Sequence, residues 1–183
     1  MEIATKEQLR GVFLRWAVVT VPLVLLLGFA SSRIAPAGAQ NRWYAALVHP
    51  AITPPDWVFP VAWSALYIMM GLALAMIISA RGSRLRGVAI ALFVLQLVLN
   101  LAWSPLFFGM HQVAPALILL AAIFVAALAT TLVFGRIRRA AAWLMVPYLA
   151  WLCFAGVLNW EIDRLNPNAS TLVPSSPSAQ MSF

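Results

Sequence analysis

Five stretches of this chain are long and apolar enough to cross a lipid bilayer, and nothing constrains its fold more. Spanning a hydrocarbon core about 30 Å thick takes about 20 residues of helix. The stretches cover residues 12–30, 57–80, 87–109, 112–135 and 140–160. The first carries Arg15 near its start, the second no charge at all, and the third only Gln96 and Asn100 as strongly polar groups. The predicted fold is therefore an all-α integral membrane protein, a five-transmembrane-helix bundle. Three connections are short (RGSRLR, MH and RIRR), which makes consecutive spans antiparallel neighbours. The first connection, about 31–56, is a long extramembrane loop with room for local structure. Residues 1–166 read as a single membrane domain. The tail 167–183 (PNASTLVPSSPSAQMSF) is rich in Pro and Ser and is predicted to be disordered.

Composition supports this class and excludes others. Of 183 residues 63% are hydrophobic and 9% charged, against roughly 25% charged in a soluble domain. Such a chain cannot cover a water-facing surface with polar groups. The net charge of +7 does not form a nucleic-acid patch, because the cationic residues sit at the ends of apolar runs. Nine of the 12 lie in the N-terminal segment and two short loops: Lys6, Arg10, Arg15, Arg81, Arg84, Arg86, Arg136, Arg138 and Arg139. Arg33, Arg42 and Arg164 lie on the other side. This asymmetry predicts a cytoplasmic N-terminus, with the long first loop and the tail outside. Lys6, Arg10 and Arg15, the apolar run and APAGAQ also resemble a cleaved secretory signal, but the run is long enough to be a retained span. Cys153, the single cysteine, lies in an apolar run and leaves no intrachain disulfide.

No metal or hydrolase constellation is visible. His49 and His111 are isolated, there is no Gly-rich phosphate loop, and Asp56, Glu161 and Asp163 fall at the ends of spans. An ion-coupled pump would need charges inside the membrane, and only Arg15, near an end, qualifies.

The placement of aromatics and amides carries more information. Trp16, Trp143 and Trp160 suit the membrane–water interface. Trp63, Trp103, Trp151 and Asn100 lie deeper, about 9–13 Å below one common face, and Tyr67 about 15 Å below it. Trp63, Tyr67 and Gly71 share a helical face, as do Gln96, Asn100 and Trp103, and Pro147, Trp151 and Ala155. Indole, phenol and carboxamide groups in hydrocarbon need partners, so these faces should point into the bundle. Two readings remain open on residue types alone. The polar groups glue helices together, or they orient a ligand in an aromatic pocket suited to a flat ring. Small-residue pairs (Gly71 and Ala75, Gly87 and Ala91, Ala122 and Ala126) permit close helix approach, within one chain or in a dimer.

The runs PPDWVFPVAWSALYIMMG, QLVLNLAWSPLFFG and VPYLAWLCFAGVLNWEIDRLN together resemble the TspO/MBR family, the tryptophan-rich sensory proteins related to the mitochondrial translocator protein. The resemblance covers roughly residues 43–166, in order and at compatible spacing. It implies a five-helix bundle, commonly a homodimer, that binds porphyrins and other tetrapyrroles. Family members are linked to tetrapyrrole transport, to stress- or light-dependent regulation, and to photochemical breakdown of porphyrin through tryptophan. No obligatory cofactor is expected, and a porphyrin or haem-type tetrapyrrole is the expected ligand. By position, Trp63 and Trp151 are similar to the family's paired indoles, Asn100 and Gln96 to its polar wall, Ala155 to its small wall residue, and Trp43 to the loop aromatic that closes the pocket. The candidate ligand-binding set is completed by Trp57, Tyr67, Trp103 and Tyr148. Two departures stand out. The family's Lys-Pro-x-Trp/Phe-x-Pro-Pro segment reads His49-Pro50-Ala51-Ile52-Thr53-Pro54-Pro55, without the basic and aromatic side chains. LNWEIDR has Trp160 where a sterol-recognition pattern requires Tyr, so sterol recognition is not expected.

Overall fold

The structure, a computed structural model, describes residues 6–34 and 38–172. Its α-helices are α1 (Lys6–Ile34), the short α2 (Arg42–Ala46), α3 (Val58–Ser79), α4 (Arg86–Ser104), α5 (Val113–Ile137) and α6 (Arg139–Leu165). All but α2 are long and apolar enough to cross a membrane. Their ends lie up to several residues beyond the apolar runs. Helical hydrogen bonding does not stop where hydrocarbon does, so α1 takes in Arg33 and α6 runs on through Glu161, Asp163 and Arg164.

The five long helices close into a ring in the order α1, α3, α6, α5, α4, so α3 and α4 are not adjacent in it although their short connection predicts neighbours. Between apolar helices in lipid, packing and interhelical hydrogen bonds decide which surfaces meet. At the α1–α3 seam a Cβ on Gly71 would come within 2.7 Å of the Val21 Cα, so only glycine lets the backbones approach. The Thr20 hydroxyl uses that approach and donates to the Gly71 carbonyl at 2.7 Å. The ring closes between α1 and α4, where the Ser31 hydroxyl donates to the Leu101 carbonyl at 2.5 Å. These ties build α1 into the bundle.

Pro105 ends the regular part of α4 and starts a π-helical turn, Pro105–Gly109. The Met110 N–H closes this wider turn on the Pro105 carbonyl at 2.9 Å. His111 follows with φ 57°, reversing the chain into α5. The turn brings Phe107 and Phe108 to the end of the bundle that carries the first loop.

The interior divides in two. A larger cluster, including Met70, Phe93, Phe134, Met145 and Tyr148, fills the middle of the ring. A smaller one, including Trp43, Tyr44, Phe107, Leu158, Ile162 and Ala169, seals the loop end. Two expectations are corrected here. Pro147 is exposed, although Trp151 and Ala155 of the same stripe face inward. Each step of four residues over-rotates a helix by about 40°, so the stripe winds from the outer surface into the ring. Disorder from residue 167 is also corrected: Ala169–Thr171 form a 3-10 turn, and Ala169 is buried. Proline and serine content carries no information about the tertiary partners that hold this turn. Residues 173–183 lie outside the described part of the chain.

Candidate functional site

A cavity of about 590 Å³ lies at the loop end of the bundle. Every long helix contributes to it: Gly28 and Ser31 from α1, Phe59 and Trp63 from α3, Asn100 and Trp103 from α4, Leu120 and Ile123 from α5, Trp151 and Ala155 from α6. Tyr44 of α2 and Trp57 complete the mouth.

The aromatic walls hold one another in place. Trp63 stacks on Tyr67, one helical turn deeper, with ring centroids 5.2 Å apart, and meets Trp151 edge-on at 6.4 Å. Trp151 in turn contacts Phe59 at 6.1 Å and Phe154 at 5.4 Å. Opposite, Trp103 stacks on Phe107 at 4.9 Å. Its indole N–H is buried without a protein partner. Edge and offset contacts of this kind suit the ring quadrupole.

The floor is polar. The Tyr67 hydroxyl donates to the Asn100 oxygen at 3.1 Å, and the Asn100 amide donates to the Tyr148 oxygen at 3.1 Å. Gly28 is what makes room for this arrangement, since a Cβ there would overlap the Tyr67 ring. Asn159 also lines the cavity, its amide donating to the Val113 carbonyl at 3.0 Å. At the mouth, burial, with the nearby Asp56 charge second, raises the Tyr44 phenol above its ordinary pKa. Tyr44 is therefore a neutral hydrogen-bonding group at neutral pH.

Of the residues predicted from the sequence, Trp57, Trp63, Tyr67, Asn100, Trp103, Trp151 and Ala155 line this one cavity. Tyr148 stands behind the floor, reaching it through Asn100. Gln96 is fully buried one turn further in, with no protein partner for its carboxamide, and does not line the cavity. Trp43 is also off the cavity, 2% exposed and turned toward the C-terminal turn. In the His49–Asp56 segment, Ala51 and Ile52 are exposed, while His49 packs edge-on against Tyr44 at 4.6 Å. The aromatic groups of the mouth are thus Tyr44 and Trp57. The α1 wall was not foreseen: Gly28 and Ser31 are small residues in an apolar run, a signal visible only as a local dip in side-chain size. Among the described residues, no group of three or more His, Cys, Asp or Glu side chains is placed to hold a metal ion.

Five apolar helices closed around an aromatic-walled cavity, beneath the longest loop of the chain, define a polytopic integral membrane protein. The chain belongs to the TspO/MBR family, whose sequence profile matches residues 19–165. It is 41% identical over 148 residues to the tryptophan-rich protein TspO of Chlorobaculum tepidum, covering 80% of this chain and 93% of that one. Identity to the tryptophan-rich sensory protein of Cereibacter sphaeroides is 40% over 149 residues, covering 79% of this chain and 92% of that one. The translocator protein of Bos taurus is 42% identical over 131 residues, covering 70% of this chain and 78% of its own.

Proposed function

We propose that this protein is a membrane receptor or carrier for porphyrins and related tetrapyrroles, bound in the cavity beneath the first loop. The observation that carries this reading is the pairing of Trp63 and Trp151, edge-on at 6.4 Å, above the Tyr67–Asn100 floor. Flat apolar walls with a few convergent polar groups are the usual makeup of a small-molecule site, and the cavity falls within the usual range of about 300–1,000 Å³. Family membership supports the ligand class. The names of the relatives, sensory and translocator, speak for sensing and transport in those proteins. In this reading the protein is a homodimer in the bacterial cell membrane, N-terminus in the cytoplasm and first loop outside, as the arginine asymmetry favours.

The test is a titration of protoporphyrin IX and haemin into the purified protein, read by tryptophan fluorescence. Saturable quenching that weakens in the Trp63→Phe, Trp151→Phe double variant is expected. Equal quenching in the two proteins would sink the assignment of this cavity.

A second reading, light- and oxygen-dependent breakdown of bound porphyrin, draws on one specific feature. Trp151, Trp63 and Tyr67 form a contiguous row of oxidisable rings, with centroid separations of 6.4 and 5.2 Å. Aerobic illumination of the complex separates the readings. Loss of the porphyrin absorption band beyond a detergent control supports breakdown, and its persistence removes it.

A further inference from the structure

The mouth of the cavity is held by a helix too short to hold itself. α2 has 5 residues, far below the roughly 12–15 at which an isolated helix becomes even marginal in water. Its position must therefore come from ties to the bundle. At its start, the Asn41 oxygen caps the Tyr44 N–H at 3.1 Å, and the Asn41 amide donates to the Phe108 carbonyl at 3.0 Å.

The ties at its other end come from the far end of the sequence. Asn166, just beyond α6, accepts from the Val48 N–H at 2.8 Å and donates to the Val48 carbonyl at 3.0 Å. Its amide also donates to the Ile162 carbonyl at 2.8 Å, which fixes the side chain on α6. A carboxamide offers donor and acceptor together, so it pairs with both backbone groups of one residue. Three residues on, the Ala169 carbonyl accepts from the Trp43 indole N–H at 2.7 Å. The Trp43 ring is clamped on its other sides by a stacked His111 at 4.5 Å and an edge-on Phe107 at 5.5 Å. Leu172 packs against the same cluster. Tyr44, next to Trp43 in sequence, lines the cavity.

We propose that Asn166–Leu172 is a strap that holds α2 closed over the cavity, with Asn166 and Trp43 as positioning residues that touch no ligand. Val48 is 56% exposed, so water can take over its backbone groups when Asn166 is removed. The ring of long helices has its own core and does not depend on this tie. Cutting the strap therefore frees the loop and leaves the bundle folded. Opening the mouth shortens the residence of whatever the cavity holds. Only that last consequence rests on the proposed function.

The experiment is backbone hydrogen exchange on the full-length protein in nanodiscs, without ligand, for wild type, Asn166→Ala and Trp43→Phe. Exchange over residues 42–48 is expected to rise about tenfold in Asn166→Ala, with amides of α3–α6 unchanged. Trp43→Phe keeps an aromatic ring in place but loses the N–H and part of the buried indole, so a rise confined to the same segment is expected. Unchanged exchange over 42–48 in both variants overturns the strap. So does a uniform rise across all helices, which would mark a merely structural role. The ligand arm measures protoporphyrin IX dissociation: a rate at least several-fold faster in Asn166→Ala supports the strap, and an unchanged rate overturns its control of the mouth. If protoporphyrin IX does not bind wild type, the proposed function fails while the exchange result still decides the strap.

Discussion

The Tyr67 hydroxyl donates to the Asn100 carboxamide at 3.1 Å, tying α3 to α4 at the floor of the cavity. Through the other end of the same amide the tie continues to Tyr148 on α6. One asparagine thus joins three helices at a buried position. Replacing it strands two phenols at once. Asn100→Ala is expected to cost about 1–3 kcal/mol, more than Tyr67→Phe or Tyr148→Phe, each of which breaks a single bond. Thermal unfolding of the three variants in one detergent checks the order. Coincident transitions for Asn100→Ala and wild type would show that the network contributes nothing.

Gly28 and Gly71 test the α1–α3 seam in two different ways. Gly71→Val drives a branched side chain into the Val21 backbone and should destabilise by about 1–3 kcal/mol through overpacking. Gly28→Ala instead meets the Tyr67 ring, a side chain that can swing aside. Its expected effect is a displaced Tyr67 and weaker porphyrin quenching, with a smaller loss of stability. Thermal midpoints and a quenching titration on both variants separate the two.

Ala155 tests occupancy of the cavity without touching the network. It lines the cavity from α6, so Ala155→Leu fills space that a bound ring would occupy. Protoporphyrin IX affinity is expected to fall about tenfold or more, the weight of a clash worth at least about 1.4 kcal/mol. The thermal midpoint should change little. Undiminished affinity would place the ligand elsewhere.

Arginine asymmetry makes a prediction about orientation that needs no ligand. In a Cys153→Ser background, Arg84→Cys sits in the α3–α4 loop and Ala51→Cys in the first loop. Intact cells treated with a membrane-impermeant maleimide should label position 51 and spare position 84. The reverse pattern would invert the topology.

Much of the fold was legible because a membrane reduces the choices. Five apolar runs joined by three short connections and one long loop admit little besides five antiparallel spans, and helical phase put Trp63 and Tyr67 on one inward face. The same logic overreached where it assumed a straight stripe: Pro147 winds outward although Trp151 and Ala155 do not. It could not separate residues at one depth into lining and backing. Gln96 lies one turn below Asn100 on the same stripe, yet only Asn100 reaches the cavity.

What the sequence determined by itself is the membrane, the number of spans and the depth of the aromatic belt, since hydropathy and helical rise are properties of a segment alone. Which helices touch, and so which residues form one site, was decided only in three dimensions. Gly28 matters because Tyr67 lies against it, and Asn166 because Val48, 118 residues earlier, does. Such pairings depend on how five helices close into a ring, a property that no single segment carries.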